Sequence, residues 1–374
     1  MAHAYTPGLK VTPNIEVRKT RRLPLRGEVL VKEGDEVTHD AIVARTDIPG
    51  DAMLVNVANM LGVEASDVPH YMMKQVGEQV EEDEIIAQFS SFFGLFKARA
   101  KSNTTGTIES ISEITGQITV RTAPVPVEVH AYIDGRVVEV IPEQGVVIEN
   151  RGAYIQGIFG VGGERQGALT VVVDGPDDPL DADRISKEHK GCIVVGGSLV
   201  TAEALKRADE VGVSAVVAGG IIDRDLVELL NYDIGVAITG HEDISFSVII
   251  TEGFGRMGMA HKTFELLKTL EGQMASVNGA TQIRAGVMRP EIIVPGVEDV
   301  GIEAEDLSGE GMVPGTPIRI IREPYFGRLA EVAELPAELV KVETEAPVRI
   351  LRAKLIDTGE IVTVPRANVE IIEG

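Results

Sequence analysis

Residues 276–290 hold Asn278, Thr281, Gln282, Arg284 and Arg289 in one glycine-punctuated stretch. Two guanidiniums, each a planar fork of donors, beside amide and hydroxyl groups suit a carboxylate or a phosphate. The plainer account is polarity at a domain interface, because the stretch leads out of the segment before it. A second set of candidates closes successive apolar runs: Gly219 and Gly220, Thr239 and Gly240, Glu252 and Gly253. Glycine ends leave backbone amides bare, and amides together with helix N-termini attract anions. Packing alone also asks for glycine at such turns. The set as a whole, rather than any one member, points to a small anionic ligand.

Other chemistry finds less support. His241, Glu242 and Asp243 are consecutive, and neighbours on an extended chain point in opposite directions, so the three do not converge on one metal. His189 and Cys192 make one His-x-x-Cys with no second pair. Neither a Gly-x-Ser-x-Gly elbow nor a His-Glu-x-x-His occurs. The glycines at 157–167 fail as a nucleotide loop, since Arg165 stands where the third glycine belongs and the run precedes a strand. That run reads as a flexible crossover. The expectation is no catalytic residue, no metal and no cofactor.

The elements that must position these residues are clearest at 168–295. Five apolar runs, at 170–174, 193–197, 215–220, 236–240 and 248–253, end at a glycine or a short polar cluster and alternate with helical patterns. Val200, Ala204, Leu205, Ala208 and Val211 share one helical face before Gly212, Leu226–Leu230 precede Asn231, and Phe264, Leu267 and Leu270 precede Gly272. Short buried strands alternating with helices build a parallel sheet, and ligands gather beyond the carboxyl ends of such strands. Residues 213–220 resemble the helix, strand and Gly-Gly turn of DRTGG-type ligand-sensing domains.

The N-terminal part contains a repeat. Gly34, Val37, Asp40, Ile42 and Ala44 recur as Gly77, Val80, Asp83, Ile85 and Ala87, with an acidic residue after each glycine. Each copy reads as a hairpin corner. The pattern resembles the corner of biotinyl/lipoyl-type barrel-sandwich hybrid domains, with Asp40 and Asp83 in place of the second glycine. Residues 105–121 and 133–148 read as further hairpins of that kind. Carriers of this type present a lysine at a hairpin tip; Lys74 lies three residues before Gly77, on the approach to a corner, so the resemblance implies a structural or docking module. Arg18, Lys19, Arg21, Arg22 and Arg26 form a basic cluster, read as a solvated strand edge or a contact with the protein's own acidic surface.

At the C-terminus, after an acidic linker at 297–314, Gly315, the strand at 318–322, Pro324-x-x-Gly327 and the closing segment at 368–371 resemble a KOW-type SH3-like barrel of the NusG kind. Such barrels bind RNA, RNA polymerase or other proteins. The resemblance implies a face made of Arg319, Arg322, Tyr325, Phe326, Arg328 and Arg366. Nearby glutamates cancel its charge, which favours protein docking over RNA.

The 374 residues carry a net charge of −23, which opposes non-specific affinity for nucleic acid or anionic membrane. The single cysteine, Cys192, cannot form an intrachain disulfide; it reads as a small buried hydrophobe in a reducing compartment. No run spans a bilayer and no secretion signal is visible. The expected fold is multidomain, α/β plus all-β: a barrel-sandwich-like β-domain at 1–160, a parallel-sheet α/β domain at 161–296, the linker, and an SH3-like barrel at 315–374. The expected role is a non-catalytic cytoplasmic scaffold that docks partner proteins and senses a small anion. Its rivals are an RNA- or transcription-associated factor and an enzyme with its site at Gly219, Gly240, Glu252 and Arg284.

Overall fold

A computed structural model describes the chain except residues 1–8, 92–95, 233–238, 241, 283–287, 298–311, 323, 326, 337–338, 342–346, 357 and 372–374. The fold is mixed α/β, with one large mixed sheet and smaller sheets around it. Four parallel segments lie side by side in the large sheet: the end of Glu164–Val171, then Ile193–Val195, Ala215–Ile221 and Ser247–Phe254. The last three are buried along almost their whole length, which is why they read as apolar runs without alternation. Helices Ala202–Val211 and Asp223–Leu230 pack Leu205, Ala208 and Leu226 into the core on one face. Helix His261–Thr269 packs Phe264 and Leu267 on the other. The first two helices end at Gly212 and Asn231, both left-handed, where the sequence places their stops. Of the strand expected at 236–240, residues 236–238 lie outside the described residues, as does most of the expected linker.

The strand Glu164–Val171 belongs to two arrangements at once. Its first part pairs antiparallel with Met274–Asn278, and its last residues pair parallel with Ile193–Val195. The sheet continues antiparallel through Glu291–Pro295 and Gly145–Gln156, which also carries Val11–Arg22. One sheet therefore runs across residue 160, where a domain boundary was expected. The glycine run at 157–167 corrects another expectation: it forms the strands Phe159–Val161 and Glu164–Val171 instead of a flexible crossover.

The repeat builds one corner twice. Gly34 and Gly77 adopt φ of 94° and 91°. The Gly34 amide donates to the Val137 carbonyl and the Gly77 amide to the Ile108 carbonyl, both at 2.8 Å, and each partner's amide returns a bond to the carbonyl of the following acidic residue. The acidic side chains have a local use: the Asp35 and Glu78 carboxylates accept from the amides of Lys32 and Gln75. Asp83 stands at φ 65°, a left-handed conformation that aspartate tolerates better than most residues. Residues 312–371 form an antiparallel sheet of their own around Ile318, Ile320, Val332, Leu351 and Val364.

The basic cluster on Val11–Arg22 meets the protein's own carboxylates. Arg18 pairs with Glu149, Arg21 forks onto Glu164, and the Lys19 amine donates to both oxygens of Glu291 at 2.6 Å. Glu291 also accepts from the phenols of Tyr132 and Tyr154. Tyr132 is buried at φ 73°, a strained backbone fixed by bonds to the carbonyl of His39 and from the hydroxyl of Ser276. Burial first, and the Glu291 charge second, push both phenols above their ordinary value of 10.0. Both folded values therefore lie above the unfolded one. Their contribution to stability is complete below about pH 10 and is lost as pH rises through the folded values. Urea unfolding at increasing pH is expected to show stability falling above about pH 10, and falling less in a Tyr132→Phe, Tyr154→Phe variant.

Candidate functional site

The parallel strands direct their carboxyl ends to the edge where α/β sheets gather ligands. Here the C-terminal module covers that edge. Arg319, on the strand Pro317–Ile320, donates through Nη2 to Glu252 Oε2 at 2.6 Å and through Nη1 to Glu370 Oε1 at 2.8 Å. Arg289 donates through Nη2 to Glu370 Oε2 at 2.5 Å. Glu252, Arg319 and Glu370 are 8%, 3% and 1% exposed. Two carboxylates and two guanidiniums thus balance in a place that water screens little. Arg319 Nε and Arg289 Nη1 remain buried without a partner among the described residues. Backbone contact tightens the joint, since a Cβ on Gly253 would come 2.8 Å from the Gly327 carbonyl oxygen. Ile321 completes the seal by joining the buried apolar cluster of the α/β core.

The expected ligand residues do not converge. Gly219 and Gly220 donate to the carbonyls of Gly197 and Ser198. Cβ atoms on them would come 2.3 Å from the Met257 oxygen and 2.1 Å from the Gly255 oxygen, so close packing explains both glycines. Thr239 and Thr281 do meet, and they spend themselves on each other. The Thr239 hydroxyl donates to the Gly160 carbonyl at 2.7 Å and accepts from the Thr281 amide at 2.7 Å, while the Thr281 hydroxyl accepts from the Gly160 amide at 2.9 Å. The amides of Gly162 and Gly240 form an anion-attracting pair, and it is already filled by the chain's own Glu242, at 2.7 and 2.8 Å. Asn278 accepts from the Ala280 amide, and Gln282 exchanges backbone bonds with Met288. Arg284 lies outside the described residues. Arg289 follows the plainer account, polarity at an interface.

The expected basic–aromatic face is also rearranged. Arg319 is turned inward, and Arg366 donates to the carbonyls of Ile350 and Pro336. Arg328 lies over the Tyr325 ring with its Cζ 6.0 Å from the centroid. Arg322 is half-buried, and Phe326 lies outside the described residues. Lys74 is held by Glu84 at 2.8 Å and by the Gln79 carbonyl, which ties its amine to a corner. Cys192 is half-buried. No helix among the described residues is long and apolar enough to cross a membrane.

Beside the ion network lies a cavity of about 70 Å³. Thr251 and Glu252 reach it from the strand end, Lys262 and Thr263 from the start of helix His261–Thr269, and Arg319 from the C-terminal module. Sequence reading singled out Glu252 but missed Lys262, Thr263 and Glu370. A signal for Glu370 was present: a charged residue beside buried Val369 in a strand that closes a small core.

Removing one member of the network leaves an uncompensated buried charge, which costs about 3–5 kcal/mol. Arg319→Ala and Glu370→Ala are each expected to lower unfolding stability by about that amount in urea titrations and to expose the C-terminal module to protease. No protein-family model matches this chain, and comparison with curated proteins gives no match either.

Proposed function

We propose that this protein is a non-catalytic cytoplasmic scaffold that docks a partner protein through its N-terminal β-module. One observation carries the reading: the sheet edge that would hold a substrate in an α/β enzyme is largely covered by the chain's own C-terminal module, with Glu252 committed to Arg319. Where the α/β domain is closed, the N-terminal module is open. Leu54, Met60, Met73, Val76 and Ile114 are exposed apolar side chains there, Ile114 at 92%. The strand Ala52–Asn56 is the edge of its sheet among the described residues, the kind of position at which another chain can add a strand. The doubled corner supports a barrel-sandwich hybrid module of the biotinyl/lipoyl kind, used for docking and not for carrying a prosthetic group. The antiparallel C-terminal sheet and its Gly327 turn support a KOW-type SH3-like barrel. Because Arg319 and Arg366 serve internal acceptors, that barrel favours protein over RNA.

The immobilised full-length protein is expected to retain a defined partner protein from its own cell extract. The Leu54→Asp, Ile114→Asp variant is expected to lose that partner while keeping its melting temperature. Equal retention by both forms, or retention of RNA that Arg322→Glu abolishes, counts against the scaffold reading.

A further inference from the structure

The cavity beside Arg319 has the chemistry of a small anion site, and it is distinct from the strand-end glycines. Helix His261–Thr269 begins there without a side-chain cap. The Ala260 amide donates to Glu252 Oε1 at 3.0 Å, which leaves the amides of the first helical turn as orphan donors. An uncapped turn alone would call for nothing more than solvent. Two further observations point to an occupant. Thr263 is 3% exposed and lines the cavity; its hydroxyl has no partner among the described residues and keeps what little access it has on the cavity side, where a ligand can meet it. Arg319 is equally buried, lines the same cavity, and has its Nε without a partner. Buried polar groups are rarely left unpaired, because each costs the full loss of its hydration.

Charge selects the kind of occupant. Glu252 and Glu370 are balanced by Arg319 and Arg289, with both Glu252 oxygens already bonded. Lys262 is half-buried at the cavity wall and pairs with no carboxylate among the described residues, so the described members of the cluster carry one positive charge in excess. The helix start adds a partial positive charge of the same sign. Size sets a limit as well. A volume of about 70 Å³ is roughly that of a few water positions, enough for an acetate or phosphate group and too small for a nucleotide.

We propose that this cavity binds a small oxyanion, a carboxylate or a phosphate group, between Lys262, Thr263 and the first turn of helix His261–Thr269. The anion would sit at the joint between the α/β domain and the C-terminal module, so its binding stabilises their contact. The proposal stands apart from partner docking at the N-terminal module, and either can fail without the other.

Calorimetric titration of the full-length protein with sodium phosphate, and separately with sodium acetate, at an ionic strength fixed by sodium chloride tests it. One saturable site is expected, with binding to the unaltered protein accompanied by a rise in melting temperature. Lys262→Ala is expected to weaken binding roughly tenfold, the size of one charge-assisted hydrogen bond. The near-isosteric Thr263→Val change is expected to weaken it several-fold with little effect on the unliganded melting temperature. Lys268→Ala, at the far end of the same helix, should leave binding unchanged. Binding of phosphate alone assigns a phosphoryl ligand, binding of acetate alone a carboxylate, and binding of both sustains the shared chemistry. Binding of neither anion, or equal binding by the Lys262→Ala and unaltered proteins, would overturn the assignment.

Discussion

The position of the C-terminal module rests on one buried arginine. Arg319 carries its charge in a buried place and so needs acceptors there, and its two carboxylates come from opposite sides of the joint: Glu252 from the α/β sheet and Glu370 from the module itself. Coulombic attraction between buried partners is large, but desolvation of both consumes most of it. The network is thus better at selecting one arrangement than at adding net stability. Any rotation that separates Arg319 from Glu252 leaves that carboxylate without its guanidinium in a buried interface. The apolar contacts of Ile321 and the close approach of Gly253 to Gly327 then operate in a geometry already selected.

A similar logic holds at the other side of the sheet. A chain with net charge −23 has more carboxylates than it can pair, and self-repulsion opposes its compaction. The strand Val11–Arg22 brings cations to where that excess is buried or half-buried. Lys19 reaches Glu291, and Arg21 reaches Glu164, each in a different strand of the large sheet. Glu291 has the tightest surroundings, with an amine and two phenols on one carboxylate. The strained Tyr132 backbone persists because so many bonds fix both its ends. The strand works as a charge-matched strap, tied by ion pairs to two strands beyond the one it pairs with.

Much of the local structure is legible in the sequence, because local structure follows local causes. Gly212 and Asn231 stop helices where apolar periodicity ends, and the doubled corner at Gly34 and Gly77 follows from one spacing written twice. The long-range pairings are not legible. Nothing near Gly145–Gln156 shows that it receives Val11–Arg22 on one side and Glu291–Pro295 on the other. The switch of Glu164–Val171 from antiparallel to parallel neighbours has no local marker, so a run of glycines reads as a break where the chain in fact forms two strands, Phe159–Val161 and Glu164–Val171. Of the candidate ligand residues, Thr239 and Thr281 are brought together, but only a three-dimensional view shows that they satisfy each other around Gly160.

Arg319 shows most clearly where such reading stops. It lies between Ile318 and Ile320, which are buried in the C-terminal core, so alternation places it on the opposite face of its strand. That inference is sound. The further step, that the opposite face meets solvent, holds for a small antiparallel sheet standing alone. Here the α/β domain covers that face and supplies Glu252 to answer the charge. Period-two patterning reports which side chains share a face and carries no information about what lies against it. In a chain of several modules, a charged residue on a strand therefore has two readings, an exposed recognition face or an interface with a hidden partner. Only an acceptor in a distant part of the sequence separates them, and for Arg319 that acceptor lies 67 residues away.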